Sequence, residues 1–220
     1  MPSRILQSCL LACLSSVLLV LAHPPFDLWA LGWVALVPLL FALDGKAFQD
    51  AARLGYLCGL FFFGGTLYWF IFMAQTADIP AFLAILGTLL LVLYLALYYG
   101  VFALACVFFR ARSLPEKIII LPSVWAALEF IRDRFLSGFG WVTLGHTQYL
   151  NLPLIQMTDI TGVFGVSFLI VMVNLLVKEG LSAVRQRAGI RRRDFLVPAG
   201  LTLFALTAAV LYGCLLYTSD

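Results

Sequence analysis

Glu129, Arg132, Trp141 and His146 are the residues of this sequence whose types and spacing suit chemistry. In "WAALEFIRDRF", Trp125 and Glu129 are four residues apart and Glu129 and Arg132 three apart, so on a helix all three share one face. A carboxylate near the end of an apolar helix is costly unless it is paired, and Arg132 is the obvious partner. Two readings follow: a structural ion pair of Glu129 with Arg132 that orients the helix, or a pair that grips a lipid headgroup. The next stretch, "SGFGWVTLGHTQ" (residues 137–148), mixes glycines, aromatics, hydroxyls and one histidine. Gly138, Gly140 and Gly145 permit tight turns and close approach of a ligand. Phe135, Phe139, Trp141, Val142 and Leu144 are too apolar for free solvation and suit a segment that dips into the headgroup layer. The competing reading is a passive aromatic anchor. No second histidine or acidic cluster gives His146 a metal site or a triad, so no metal is expected. The five cysteines form no CxxC pair; four lie inside apolar runs, where thiols behave as small hydrophobes.

These groups must be positioned by apolar elements. Of the 220 residues 63% are hydrophobic and 11% charged, with a mean hydropathy of +1.03. A soluble domain carries about 25% charged residues. Such a chain cannot cover its apolar surface in water and belongs in a bilayer. An all-α bundle of about seven transmembrane helices is predicted, at roughly 5–22, 28–43, 54–73, 80–109, 118–131, 162–177 and 195–213. The second and fifth are short, and the interfacial loop lies between the fifth and sixth. Twelve of the 14 Lys and Arg residues, including Lys46, Arg110, Lys117, Lys178, Arg187 and Arg191, then fall on one side, and only Arg132 and Arg134 on the other. That asymmetry predicts a cytoplasmic N-terminus. Arg4, the first apolar run and "LAHPP" mimic a signal peptide, but six further spans favour an uncleaved first helix.

"PSVWAALEFIRDRFLSGFGWVTLGHTQ" resembles the membrane domain of bacterial apolipoprotein N-acyltransferases. The helix motif is carried by Pro122, Trp125, Glu129, Phe130 and Arg132; the turn by Ser137, Gly138, Phe139, Gly140 and Trp141; the next element by Gly145, His146, Thr147 and Gln148. The resemblance continues at Pro153, Gly162, Gly165, Phe168 and Asn174, and in "HPPFDLWALGWVALVPLL", "FFFGGTLYW" and "YLALYYGVFA". Two positions depart: Gly140 stands where the family has proline, and His146 where it has tyrosine.

The resemblance implies an inner-membrane enzyme without cofactor. It implies a phospholipid acyl donor and a diacylated apolipoprotein acceptor as partners, and no nucleic acid. Trp141, Gly138, Phe139, His146 and Gln148 are the implied substrate or lipid contacts. The family's chemistry needs a nucleophilic Cys, a general base Glu and an oxyanion-stabilising Lys, in a nitrilase-like domain outside the membrane. No such trio is found here, so no catalytic residue is assigned and the chain is expected to be inactive alone. Residues 1–213 are expected to form the membrane domain, and 214–220 ("CLLYTSD") to be a non-native, adapter-like tail. The rival classes are a transporter subunit or lipid-binding scaffold, disfavoured by the scarcity of mid-membrane charge, and a hydrolase built on His146 and Asp159, which lacks a nucleophile.

Overall fold

Apolar runs interrupted by Pro, Gly and short polar turns can satisfy their backbone inside a bilayer only as helices. The computed structural model, which describes residues 2–136, 138–186 and 192–217, is accordingly helical, with no strand among the described residues. Its helices are α1 (Pro2–Ala22), α2 (Val37–Ala42), α3 (Phe48–Thr66), α4 (Trp69–Thr76), α5 (Ala81–Phe108), α6 (Leu114–Arg134), α7 (Leu152–Ile155), α8 (Thr158–Gln186) and α9 (Arg192–Tyr217). Two single-turn 3-10 segments, Trp29–Trp33 and Leu144–Gln148, complete it. Ser137, Arg187 and Arg191 lie outside the described residues.

Four helices, α1, α5, α8 and α9, are long and apolar enough to cross a membrane. Two predicted spans, 28–43 and 54–73, take a different form, and two others sit inside longer helices. The 28–43 segment is not one helix: a 3-10 turn and the short α2 meet around Val34–Leu36. The 54–73 segment breaks at Leu67–Tyr68 between α3 and α4. The 118–131 segment lies within the 21-residue α6. The 162–177 segment lies within α8, whose first turn is set off by a kink at Gly162, with φ +64°. The helix α9 continues past residue 213 to Tyr217 without a break, and 218–220 lie outside the described residues.

The tightest seam joins α3 to α5. A Cβ on Gly55 would lie 2.4 Å from the Tyr99 carbonyl oxygen, and one on Gly59 would lie 2.8 Å from Ala96 Cα. Small residues at a four-residue spacing therefore let two backbones touch, as lipid-embedded helices require. Beside this seam Phe62, Phe63 and Trp125 stack around Tyr99, and Trp125 in turn is edge-on to Phe102 at 4.7 Å. The outer faces of the long helices stay apolar; Ile5, Phe82 and Phe204 point away from the bundle.

Polar groups gather at the two ends. At one end Lys178 pairs with Asp44 at 2.9 Å and Lys117 with Glu179 at 3.2 Å, near the start of α6 and the end of α5. At the opposite end lie the end of α1, the α3–α4 break, the end of α6 and the 138–149 loop.

Candidate functional site

The loop is held from beneath by charge. Glu129 and Arg132 sit on one face of α6 and are 6% and 3% exposed. The two charges make no direct contact among the described salt bridges, but each lies in the other's field and each anchors a backbone group of the loop. Glu129 Oε1 accepts from the Leu144 N–H at 2.7 Å, and Arg132 Nη2 donates to the Trp141 carbonyl at 3.1 Å. A loop crossing the bundle end has N–H and C=O groups that would be buried unbonded at a cost of about 1–3 kcal/mol each, and the two charged side chains satisfy them while each still lies in the other's field. Arg132 also lies over the Phe63 ring, 5.4 Å from its centre. Glu129 Oε2, Arg132 Nε and Trp125 Nε1 lack well-formed hydrogen bonds and line a cavity of about 10 Å³, the space of one water.

The glycines of the loop serve its own closure. Gly138 adopts φ +81°, and a Cβ there would lie 2.3 Å from the Asp133 carbonyl oxygen; Gly140 packs against the Asp133 carboxylate. Gly145 lies against α8, its N–H donating to Ser167 Oγ at 2.7 Å. The close approach expected for a ligand is thus made by helices α6 and α8. Val142 is held at φ +57°, rare for a β-branched residue, which turns the chain between Trp141 and Thr143.

His146 has a defined tautomer. The Thr143 N–H donates to its Nδ1 at 3.1 Å, and Thr143 Oγ1 lies 2.9 Å from the same atom. Nδ1 therefore carries a lone pair, and the proton of the neutral ring resides on Nε2. Burial pushes the His146 pKa down, and the nearby His23 and Arg132 push the same way. His23, at the end of α1, lies between two acceptors, its Nδ1 2.8 Å from the Leu19 carbonyl and its Nε2 3.1 Å from the Thr143 carbonyl; the neutral ring donates to one of them, and donation to Thr143 ties the loop to the first helix.

Above these anchors opens a pocket of about 430 Å³. Trp69, Trp141, Thr66, His23 and His146 form its walls. Trp141, 53% exposed, stacks near Trp69 at 5.5 Å and Phe70 at 5.7 Å. Beside them α4 turns Phe72 and Met73 outward.

Of the predicted contact residues, Trp141 and His146 face this pocket. Phe139 packs between Phe70 and Trp141. Gly138 shapes the turn. Gln148 is fully buried elsewhere: it accepts from Trp33 Nε1 at 3.1 Å and donates to the Trp29 carbonyl at 2.9 Å, pinning the 3-10 turn. Asn174 of α8 completes that clamp, accepting from the Leu36 N–H at 2.8 Å and donating to the Gly32 carbonyl at 3.0 Å. His23, Thr66 and Trp69 line the pocket as well and stand outside the expected contact set. The available signals were a histidine directly before Pro24–Pro25, and a Thr and Trp flanking the α3–α4 break.

A helical membrane domain with an aromatic-walled pocket at one end defines the class. The signature of the apolipoprotein N-acyltransferase N-terminal domain matches residues 15–176. The apolipoprotein N-acyltransferase of Geobacter metallireducens is 42% identical over 168 residues, covering 76% of this chain and 32% of the relative. That of Wigglesworthia glossinidia brevipalpis is 30% identical, covering 70% and 32%, and that of Thermotoga maritima 29% identical, covering 95% and 41%. The chain belongs to the apolipoprotein N-acyltransferase family and matches its N-terminal membrane part. It spans about a third of the length of the curated relatives it matches.

Proposed function

We propose that this chain is the membrane part of an enzyme that moves an acyl chain from a phospholipid to the N-terminal cysteine of a diacylated lipoprotein. The observation that carries this is the 430 Å³ pocket walled by Trp69, Trp141 and Thr66 beside the outward apolar face of α4. A pocket that is mostly apolar, with few polar groups and a side facing lipid, suits an acyl chain entering from the bilayer with its headgroup near His146 and His23. The nucleophile, base and oxyanion lysine of such a reaction belong to a water-exposed domain placed over this end. Seven crossings, with 28–43 and 54–73 spanning as broken segments, put the basic end in the cytoplasm of a bacterial inner membrane and the pocket on its outer face.

Trp141 is the residue that tests this reading. Joined to the part of the Geobacter metallireducens relative beyond the match, the wild-type chain is expected to triacylate a diacylated lipoprotein in membranes. Trp141→Ala is expected to lower that rate at least tenfold, while Trp141→Phe retains an intermediate rate and Trp29→Ala, an exposed tryptophan away from the pocket, has little effect. Near-normal transfer by Trp141→Ala at equal protein level would reduce the loop to an anchor. Lipid binding without any transfer by the wild-type chimera would favour a scaffold.

A further inference from the structure

The basic end of the bundle holds a second cavity, of about 250 Å³, between the turn at Asp44–Gly45, the end of α5, the start of α6 and α8. Arg110, Lys117 and Lys178 face it together with Asp44 and Glu179. Lys178 Nζ lies 2.9 Å from Asp44 Oδ1 and 3.3 Å from Glu179 Oε1. Lys117 Nζ lies 3.2 Å from that same Glu179 oxygen. Arg110 donates from Nη1 to the Lys46 carbonyl at 3.2 Å and has no carboxylate among its described partners.

The donors outnumber the acceptors. An ammonium offers three protons and a guanidinium five. Lys117 engages one acceptor and Lys178 two, while their side chains are only 18% and 13% exposed, so bulk water reaches them poorly. Three cations face two carboxylates. Two ammonium groups converge on one oxygen, an arrangement that a further anion between them relieves. A water's share of liquid is about 30 Å³, so the cavity has room for a phosphate with its ester arms. Beside these charges the lining is apolar, at Leu40, Leu43, Leu121 and Leu175.

We propose that this cavity binds the phosphate of an anionic phospholipid headgroup, with Arg110 and Lys117 donating to its oxygens and Lys178 supplying the remaining positive field. Basic pockets between membrane helices take anionic headgroups in this way. The site lies at the opposite end of the molecule from the Trp141 pocket and does not depend on the acyl-transfer reading. The apolar wall next to the cations favours a lipid over free phosphate.

Native mass spectrometry of the delipidated chain, released from detergent micelles, tests this with phosphatidylglycerol, phosphatidylcholine and inorganic phosphate as separate probes. Phosphatidylglycerol is expected to bind at least fivefold more tightly than phosphatidylcholine. Arg110→Gln, a change at an exposed side chain that leaves the buried pairs intact, is expected to cut that preference about threefold, and Arg110→Gln with Lys117→Gln to abolish it. Arg53→Gln, exposed at the same end but outside the cavity, is expected to leave it unchanged, with thermal midpoints confirming that each variant is folded. Equal binding of the two lipids, or an undiminished preference in folded Arg110→Gln, overturns the proposal. So does inorganic phosphate binding as tightly as phosphatidylglycerol, which would make this a free-phosphate site.

Discussion

His146 shows how much one ring nitrogen can decide. Because Nδ1 accepts from the Thr143 N–H, protonating the ring there would set two N–H groups against each other. Burial already holds the folded pKa below the ordinary value, which is about 6.5 for an exposed histidine. The sign of the linkage follows. Above about pH 6.5 the ring is neutral in both folded and unfolded chains, and its contribution is fully present. As pH falls below that value the unfolded chain takes up a proton that the folded one resists, so stability declines towards the folded pKa. Thermal unfolding in detergent between about pH 7.5 and 5 is expected to show this decline, and His146→Gln, which keeps an acceptor near Thr143, to flatten it. His23 and Arg132 face the same loop, and a residual slope in the variant is expected from His23. An unchanged slope would mean that His146 is not the titrating group. The sequence made Trp125, Glu129 and Arg132 legible because a three- and four-residue spacing encodes a helix face, and Trp141 legible through its glycine-rich turn and the family resemblance. It did not reveal that Glu129 bonds Leu144 and Arg132 bonds Trp141, since those partners lie in a loop with no period. Gln148 entered as a contact through the family resemblance; its bonds to the Trp33 indole and the Trp29 carbonyl join segments 115 and 119 residues apart, which no local pattern encodes.

At the scale of elements, apolar length located the long helices well, with α1, α5, α8 and α9 close to the predicted spans. Hydropathy does not register backbone geometry, so the breaks in 28–43 and 54–73 were invisible to it. In the first of these, a 3-10 turn leaves N–H and C=O groups that a regular helix would have paired. Asn174 and Gln148 take up that role from two later elements. Asn174→Leu keeps the branched outline, with some added bulk, but strands the Leu36 N–H and the Gly32 carbonyl, each at a cost of about 1–3 kcal/mol. A clear drop in thermal midpoint is expected, with faster proteolysis around residues 28–43. A Leu variant as stable as wild type would show that the turn needs no such clamp. Asn174→Asp keeps an acceptor for Leu36 but sets an oxygen against the Gly32 and Ile170 carbonyls, so it is expected to destabilise as well, most at pH values where the carboxyl would ionise.

At the scale of the whole molecule, the ends are chemically unlike: one carries Lys117, Lys178 and Arg110, the other the histidines and tryptophans of the pocket. Reporter fusions after Lys46 and Arg112 are expected to register the cytoplasm, and fusions after Asp78 and Tyr149 the outside. A cytoplasmic signal at Tyr149 would invert or remove a crossing and displace the pocket from the outer face. Between these ends the turn at Trp29–Trp33 has a temporal side. Its amide partners are encoded far downstream, Asn174 standing 138 residues after Leu36. A ribosome feeding this chain into the membrane delivers the turn long before it delivers either partner. Until α8 arrives, the segment can pack on α1, but the Leu36 N–H and the Gly32 carbonyl lack the Asn174 amide that joins them. Synthesis order and hydrogen-bond order therefore differ here: the turn is made early and its bonding is completed late.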